Sequence, residues 1–313
     1  TQLINNGALG IGWVVTFVNK GRITPDGDKA FSKSLSQAPS VLAMFENDKG
    51  IYPKTTGTVI LGEDQGGTFA TGVTQNIPIL AQSANQGIAV ARAEVDSLVR
   101  RIPLLLRTPD GWVPAFSTEV LKILAGADTY VIRTNDNGLE EIRVKGLPAV
   151  PVDSLGRKWI SFVNTSQTDL QEMDVEGRFV FVGFTAKGIM PQLSTPVGYL
   201  EPHKIQAALA ESILIENSPY VPDYALAVET GILLVSMGLM WLILNVFGIS
   251  LGITLGTVLM AGTAYYGFWT IQQGLLIDVT WTLIAQFITG STAFYVRFRE
   301  QYKARQLIKQ QFG

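Results

Sequence analysis

The chain of 313 residues is short of charge, with only 16% Asp, Glu, Lys and Arg against about 25% in an average soluble protein. Hydrophobic residues make up 47% of it, which excludes an intrinsically disordered chain. The 24 basic and 26 acidic residues leave a net charge of −2. This excludes the basic excess typical of a nucleic-acid-binding protein. The absence of cysteine excludes disulfides and thiolate chemistry.

Residues 1–223 alternate apolar β-type runs with helical patterns, which predicts an α/β domain. Strands are predicted at Ile11–Val18, Ser40–Phe45, Tyr130–Arg133, Glu141–Val144, Lys158–Val163 and Arg178–Gly183. Helices are predicted at Asp28–Gln37, Pro114–Ala125 and His203–Ile215. The turn residues 135–138 predict a hairpin between two of the strands. Because the chain does not start with Met, we expect the native amino terminus to lie upstream.

The segment 183–188 directly follows an apolar strand and contains hydroxyl, amine and glycine residues. Ligands in open α/β sheets bind outside the carboxyl ends of strands. We therefore predict that Thr185, Lys187, Gly188 and Thr195 bind a small polar ligand. The alternative is a tight strand-to-loop transition that needs glycine for its backbone alone.

The sequence predicts no catalytic residue, because no pairing of a nucleophile with a base is visible. The one histidine, His203, stands at the start of a predicted helix and is expected to be a capping or surface residue. Without a second histidine there is no multi-histidine metal site. We expect neither a metal nor a cofactor in this chain.

Charge is missing mainly near the carboxyl end, where no charged residue occurs between Glu229 and Asp278 or from Val279 to Val296. A helix needs about 20 apolar residues to cross a bilayer. The turn-forming residues around Gly248 and Gly274 divide this stretch. Three transmembrane helices are therefore predicted, at 225–247, 249–271 and 275–296. The alternative, a buried helical hairpin of a soluble core, would need helices well beyond the average of about a dozen residues.

Three glycines at four-residue spacing, Gly248, Gly252 and Gly256, are predicted to lie on one face of the second of these helices. Small residues on such a face let two helix backbones approach closely. The partner is either another helix of the same bundle or a second copy of the chain.

The flanking charges predict the orientation in the membrane. Residues 297–313 hold five basic residues and the single acid Glu300, so this tail is expected to be cytoplasmic. Three crossings then place residues 1–223 outside the cytoplasm. The predicted organisation is thus an extracytoplasmic domain over residues 1–223, three membrane helices over 224–296 and a cytoplasmic helix over 297–313.

The order of several motifs resembles the type-two CHASE domain, a bacterial extracytoplasmic sensory module. These motifs are the runs 100–104, 110–111, 114–116, 156–157, 176–188 and 195–198. The similarity covers about residues 5–215. The chain departs from the residues most often found in the family at Val14, Ser161 and 190–192.

The resemblance implies an α/β extracytoplasmic sensor domain, followed by an all-α three-helix transmembrane bundle and a cytoplasmic helix. It implies a location in the bacterial inner (cytoplasmic) membrane, with the lipid bilayer and an unknown extracytoplasmic ligand or protein as partners. A homodimer is also implied, because the receptors of this kind act through paired output domains.

Residues 305–313 resemble the helix that enters a class III nucleotide cyclase domain in such receptors. The resemblance therefore implies an adenylate or guanylate cyclase receptor. ATP and a divalent metal are expected only if a cyclase domain follows, since the chain lacks the metal-binding carboxylates of a cyclase. The alternatives are a protein kinase or histidine kinase as the output, or a non-signalling membrane subunit whose ectodomain serves assembly.

Overall fold

The computed structural model describes residues 2–21, 24, 26–162, 174–186, 188, 190–216, 218–222 and 224–312. Their helices are α1 (Gln2–Asn5), α2 (Gly27–Leu35), α3 (Pro78–Ala81), α4 (Phe116–Leu124), α5 (Pro202–Leu214), α6 (Ala225–Val246), α7 (Ile249–Gln272) and α8 (Thr280–Phe312). Their strands are β1 (Gly10–Trp13), β2 (Ser40–Ile51), β3 (Gly57–Leu61), β4 (Thr68–Phe69), β5 (Val73–Thr74), β6 (Asn85–Ile88), β7 (Arg101–Pro103), β8 (Leu105–Thr108), β9 (Gly111–Pro114), β10 (Thr129–Asn135), β11 (Gly138–Val144), β12 (Ala149–Pro151), β13 (Arg157–Trp159), β14 (Phe179–Val182), β15 (Leu193–Thr195) and β16 (Gly198–Leu200). The chain divides into two compact units, Thr1–Ser218 and Pro219–Gly313.

The first unit is built on a parallel sheet with the strand order β14, β1, β2 and β6. The carboxyl-terminal half of β2 also pairs antiparallel with β5. Helix α4 packs closely on this sheet because two glycines leave room for Phe116. A Cβ on Gly12 would lie 2.9 Å from the Phe116 ring, and one on Gly87 would lie 2.6 Å from the Phe116 Cα.

The second sheet of this unit has the order β12, β11, β10 and β3. The predicted hairpin is present, since β10 and β11 pair antiparallel with Asn135 opposite Gly138. The backbone of Gly138 has φ +126°, a conformation that favours glycine over any residue with a side chain. Strand β10 pairs parallel with β3 on its other side.

Helix α4 lies between apolar clusters from the two sheets. Phe116 belongs to a cluster with Val14 and Val41 of the first sheet region. Leu121 belongs to the larger cluster that contains Tyr130 of the second sheet. Helix α4 is thus covered on two faces by apolar residues of the two sheet regions.

One carboxylate inside this core ties α4 to both sheets. The Tyr130 hydroxyl donates to Glu119 Oε2 at 2.8 Å, and Asn85 Nδ2 donates to Glu119 Oε1 at 2.5 Å. Lys122 Nζ lies 2.8 Å from the same Oε1. Burial and the neighbouring Glu119 charge raise the pKa of Tyr130, so its hydroxyl stays protonated and remains a donor.

The second unit consists of α6, α7 and α8. Among the described residues, two helices, α6 and α7, are long and apolar enough to cross a membrane. The predicted third membrane helix over 275–296 begins later than expected, at Thr280. It is not among the described helices whose length and hydropathy mark them as candidate membrane spans.

The late start of α8 has a direct cause in the backbone. Tyr220 forms an isolated β-bridge with Leu275, in which Tyr220 N donates to the Gly274 carbonyl and Leu276 N donates to the Tyr220 carbonyl. These bonds hold Leu275 in the bridge directly after Gly274, which turns with φ +74°. Helix α8 then runs without a break to Phe312, across the predicted boundary between the membrane helix and the cytoplasmic tail.

Candidate functional site

The strand order of the parallel sheet marks where a ligand is expected. From β1 the chain proceeds to β2 and β6 on one side, whereas β14 lies on the other side of β1. Ligands of open α/β sheets bind at such a switch of direction, outside the carboxyl ends of the strands. The loop that leaves β14 after Val182 lies at this position.

A cavity of about 450 Å³ is formed mainly by that loop. Its lining consists of Phe184, Thr185, Ala186, Gly188, Met190, Pro191, Gln192 and Glu201. Gly188 adopts φ +86°, so the loop needs glycine there to turn. The lining combines an aromatic ring, a thioether, a hydroxyl and a carboxylate, which suits a small ligand with both polar and apolar parts.

The carboxylate of Glu201 is the charged group that the described residues contribute to this lining. Gln192 Nε2 donates to its Oε1 at 3.0 Å, and Lys204 Nζ lies 2.8 Å from its Oε2. The Lys204 ammonium lowers the pKa of Glu201 to about 2, with a smaller contribution from Gln192. The site therefore holds a fixed negative charge at neutral pH, already partly compensated by Lys204.

His203 packs against the end of β14 rather than standing on the surface. It is half-buried, and a Cβ on Gly183 would overlap the imidazole ring. Burial lowers the pKa of His203, so the ring is neutral at pH 7. Gly183 is thus required for close approach, and His203 fixes the start of α5 against the strand that carries the loop.

The structure brings together two of the four predicted ligand-binding residues. Thr185 and Gly188 line the cavity. Thr195 lies in the β15–β16 hairpin, where its hydroxyl donates to the Gly198 carbonyl at 2.6 Å. Lys187 lies outside the described residues.

Of the six lining residues that sequence reasoning missed, Glu201 and Gln192 carry the carboxylate and the amide of the site. They are nine positions apart, and the β15–β16 hairpin between them returns the chain so that their side chains meet. The turn residues 196–198 could have indicated this hairpin, and with it the proximity of its two flanks.

The three predicted packing glycines fall in two different environments. A Cβ on Gly256 would lie 3.0 Å from Met240 Sδ, and one on Gly252 would lie 3.3 Å from Leu244 Cδ2. Both therefore face α6. Gly248 precedes α7 as its N-cap residue, and a Cβ there would meet no described atom within 4 Å.

No group of three or more His, Asp or Glu side chains that could hold a metal ion occurs in the part of the chain that the structure describes.

The comparisons with known proteins identify the family. Residues 1–247 match the model of the CHASE2 domain, and the chain belongs to this family of extracellular sensor domains. The match spans the whole first unit and continues to the end of α6. No curated protein and no solved structure matches the chain.

Proposed function

We propose that this chain is the sensory and transmembrane region of a bacterial receptor in the inner membrane. The first unit senses a ligand or partner outside the cytoplasm, and the second unit relays the change to a cytoplasmic output domain. The observation that carries the proposal is the CHASE2 match, which runs from the sensor fold into a helix able to cross a membrane.

The surface of the second unit supports a location in lipid. In the most apolar windows of α6 and α7, only 11% and 17% of residues are buried. The core helices of a soluble protein would hide such residues from water. Large apolar side chains instead cover the outside, among them Leu234, Trp241 and Phe268. A hydrocarbon environment accounts for this arrangement, whereas water does not.

The contacts at the two ends of α6 support a third crossing by α8. At one end, Asp278 N donates to Glu229 Oε1 at 2.8 Å. At the other end, the Arg297 guanidinium donates to the carbonyls of Asn245 and Phe247. The part of α8 between these contacts therefore runs the full length of α6. The 22 residues of α6 span about 33 Å and the 18 residues of α8 from Thr280 to Arg297 about 27 Å, so both are close to a bilayer core of about 30 Å.

Two of the polar residues that lower the hydropathy of α8 lie inside the bundle, whereas Ser291 and Thr292 are exposed. Thr282 and Gln286 are fully buried, so they do not meet lipid. With three crossings, the basic tail that begins at Arg297 is cytoplasmic and the first unit is extracytoplasmic.

Single cysteines can test this topology, because the chain has none of its own. Val95→Cys places a thiol at a fully exposed site in the first unit, and Gln301→Cys places one in the exposed tail. We expect a membrane-impermeant maleimide to label only the first variant in spheroplasts and both after permeabilisation. Equal labelling of both in intact spheroplasts would contradict three crossings.

The cavity after β14 is well placed to start a relay. Its Gln192 contacts Glu201, and Glu201 is the N-cap residue of α5, the last helix before α6 in the chain. Helix α5 is also held to α4, because Ser117 Oγ donates to the Gln206 carbonyl at 2.7 Å. A ligand that moves the loop would thus bias α5.

Ligand binding can be tested with the full chain in nanodiscs by thermal shift against amino acids, dicarboxylates and monosaccharides. We expect Ala186→Trp, which fills the cavity, to abolish the shift given by any hit. Val95→Trp, at an exposed site that is not part of the cavity lining, serves as the matched control. A hit that shifts Ala186→Trp as much as the parent chain binds elsewhere and would refute this site.

For the output, we propose a class III adenylate or guanylate cyclase domain that acts as a homodimer. Helix α8 continues to Phe312 as one rod, and the Phe294 and Phe298 rings stack along it at 6.0 Å. An aromatic stripe on such a rod suits a helical relay between two copies. The test is to assay the full reading frame for conversion of ATP or GTP to the cyclic nucleotide. A frame that encodes a kinase, or no further domain, would reject the cyclase.

A further inference from the structure

Gln286 on α8 is a fully buried amide in the interior of the second unit. Its Nε2 donates to Thr263 Oγ1 on α7 at 2.8 Å. Among the described residues, this is the hydrogen bond that joins the side chains of two different helices of this unit. It lies between the contacts that Asp278 and Arg297 make with α6 at the two ends of the same segment.

The bond has a defined direction. The Thr263 hydroxyl donates its one proton to the Leu259 carbonyl at 3.0 Å, so its oxygen can only accept from Gln286. The Gln286 Oε1 is buried and has no partner in the described part of the chain. Gln286 thus has one half of its amide satisfied, and losing the Thr263 bond would leave both halves unpaired. Buried unpaired polar groups carry a large free-energy cost.

At four-residue spacing along α7, no side chain can replace Thr263 as the acceptor. One turn away on the same face stand Leu259 and Gly267, whose side chains have no hydrogen-bond acceptor. Sliding Gln286 by four residues along α7 in either direction therefore removes its only side-chain partner. Val279, the residue directly before α8, also approaches Gly267 closely, which fits this same alignment.

We infer that the Gln286–Thr263 hydrogen bond fixes the axial register of α8 against α7, so that α8 and the α6–α7 hairpin move as one body. The tail of α8 then follows displacements of the whole bundle, and α8 does not slide past its neighbours. The inference concerns the packing of the second unit and holds whether or not the proposed receptor function is right.

Disulfide pairs can read the register in the full chain in nanodiscs. A Cβ on Gly267 would lie 3.5 Å from the Val279 Cβ, within the range of disulfides. Gly267→Cys with Val279→Cys is the in-register pair, and Gly267→Cys with Leu283→Cys reports a slide of one turn. We expect the first pair to oxidise readily and the second hardly at all.

Removing the bond should then change the second pair. We expect Gln286→Leu to raise the off-register yield several-fold. The matched control is Phe287→Leu, at the adjacent, exposed position of α8, which should leave both yields unchanged. If Gln286→Leu gives the same yields as Phe287→Leu, the inference is overturned.

A second variant keeps the test decisive if Gln286→Leu does not fold. Thr263→Val removes the acceptor from α7 and leaves α8 untouched, so it should raise the off-register yield in the same way. An unchanged pattern in Thr263→Val would also overturn the inference. A merely stabilising role would lower the melting temperature without moving the yield between the two pairs.

Discussion

The two units of this chain arrange polar and apolar groups in opposite ways. In the first unit, the interior holds an ion pair, Glu119 with Lys122, and apolar residues are largely buried. In the second unit, large apolar residues cover the outside, and the interior holds the uncharged pair Thr263 and Gln286. The same physical rule applies to both, because each unit exposes the groups that its surroundings solvate, and these buried polar side chains bond to one another.

The largest expected effect comes from breaking the buried ion pair of the first unit. Glu119→Ala leaves the Lys122 ammonium buried without its partner, and removes the acceptor for Tyr130 and Asn85. We expect the free energy of unfolding to fall by about 3–5 kcal/mol. Asp26→Ala removes an ion pair that is mostly exposed and should change little. Urea unfolding followed by tryptophan fluorescence measures both, and equal effects would contradict the contrast between buried and exposed pairs.

A single lysine breaks the pairing rule in the first unit. Lys158 is buried and forms no ion pair or hydrogen bond among the described residues, and burial lowers its pKa to about 8. The unfolded chain thus binds more protons than the folded one between about pH 8 and the ordinary lysine pKa. The free energy of unfolding is therefore expected to rise with pH across this window. Below about pH 8, Lys158 is charged in both states, and the folded protein bears the full cost of burying that charge.

Lys158→Met tests this exception directly. We expect it to raise the free energy of unfolding at pH 7 by about 2 kcal/mol and to remove the rise with pH. Urea midpoints at pH 7, 8.5 and 10 provide the measurement. Lys29→Met, which alters an exposed lysine, should keep the rise. A destabilised Lys158→Met protein would mean that the ammonium has a favourable partner.

In the second unit, the next largest loss of stability is expected where α7 packs closely against the residue before α8. A Cβ on Gly267 would overlap the Val279 side chain, whereas one on Gly262 would meet no described atom within 4 Å. We expect Gly267→Val to destabilise the bundle by about 1–2 kcal/mol and Gly262→Val to be nearly neutral. Thermal unfolding in detergent compares these two variants of the same helix. Equal melting temperatures would contradict the packing.

The sequence anticipates much of the fold, because local patterns follow local physics. Helix α4 was predicted from the proline in its first turn and the glycine after its end, and the Asn135–Gly138 turn from its composition. Strand β2 runs to Ile51 through polar residues because pairing with β5 holds its end, which no local pattern shows. Helix α8 starts late because Tyr220 pairs with Leu275. The Glu201–Gln192 contact in the cavity likewise depends on the return of a hairpin. The contacts that sequence reasoning missed join segments whose proximity only the folded chain creates.

The smallest effect concerns the cavity, where a charged pair lies between the two extremes of burial. The folded-state pKa of Glu201, about 2, is below its ordinary value of 4.5, because Lys204 stabilises the carboxylate. The resulting stability is present above pH 4.5 and is lost as the pH falls towards 2.

We expect Glu201→Gln to lower the free energy of unfolding at pH 7 by about 1 kcal/mol, since the pair is partly solvated. The variant should also lose less stability than the parent chain between pH 4.5 and 2. Lys204→Met should give a similar loss at pH 7, whereas Glu63→Gln, an exposed residue without an ion pair among the described residues, should not. If Glu201→Gln loses as much stability as the parent chain between pH 4.5 and 2, another group is responsible for that loss. The Glu201–Lys204 ion pair then does not determine the charge that a ligand meets in the cavity.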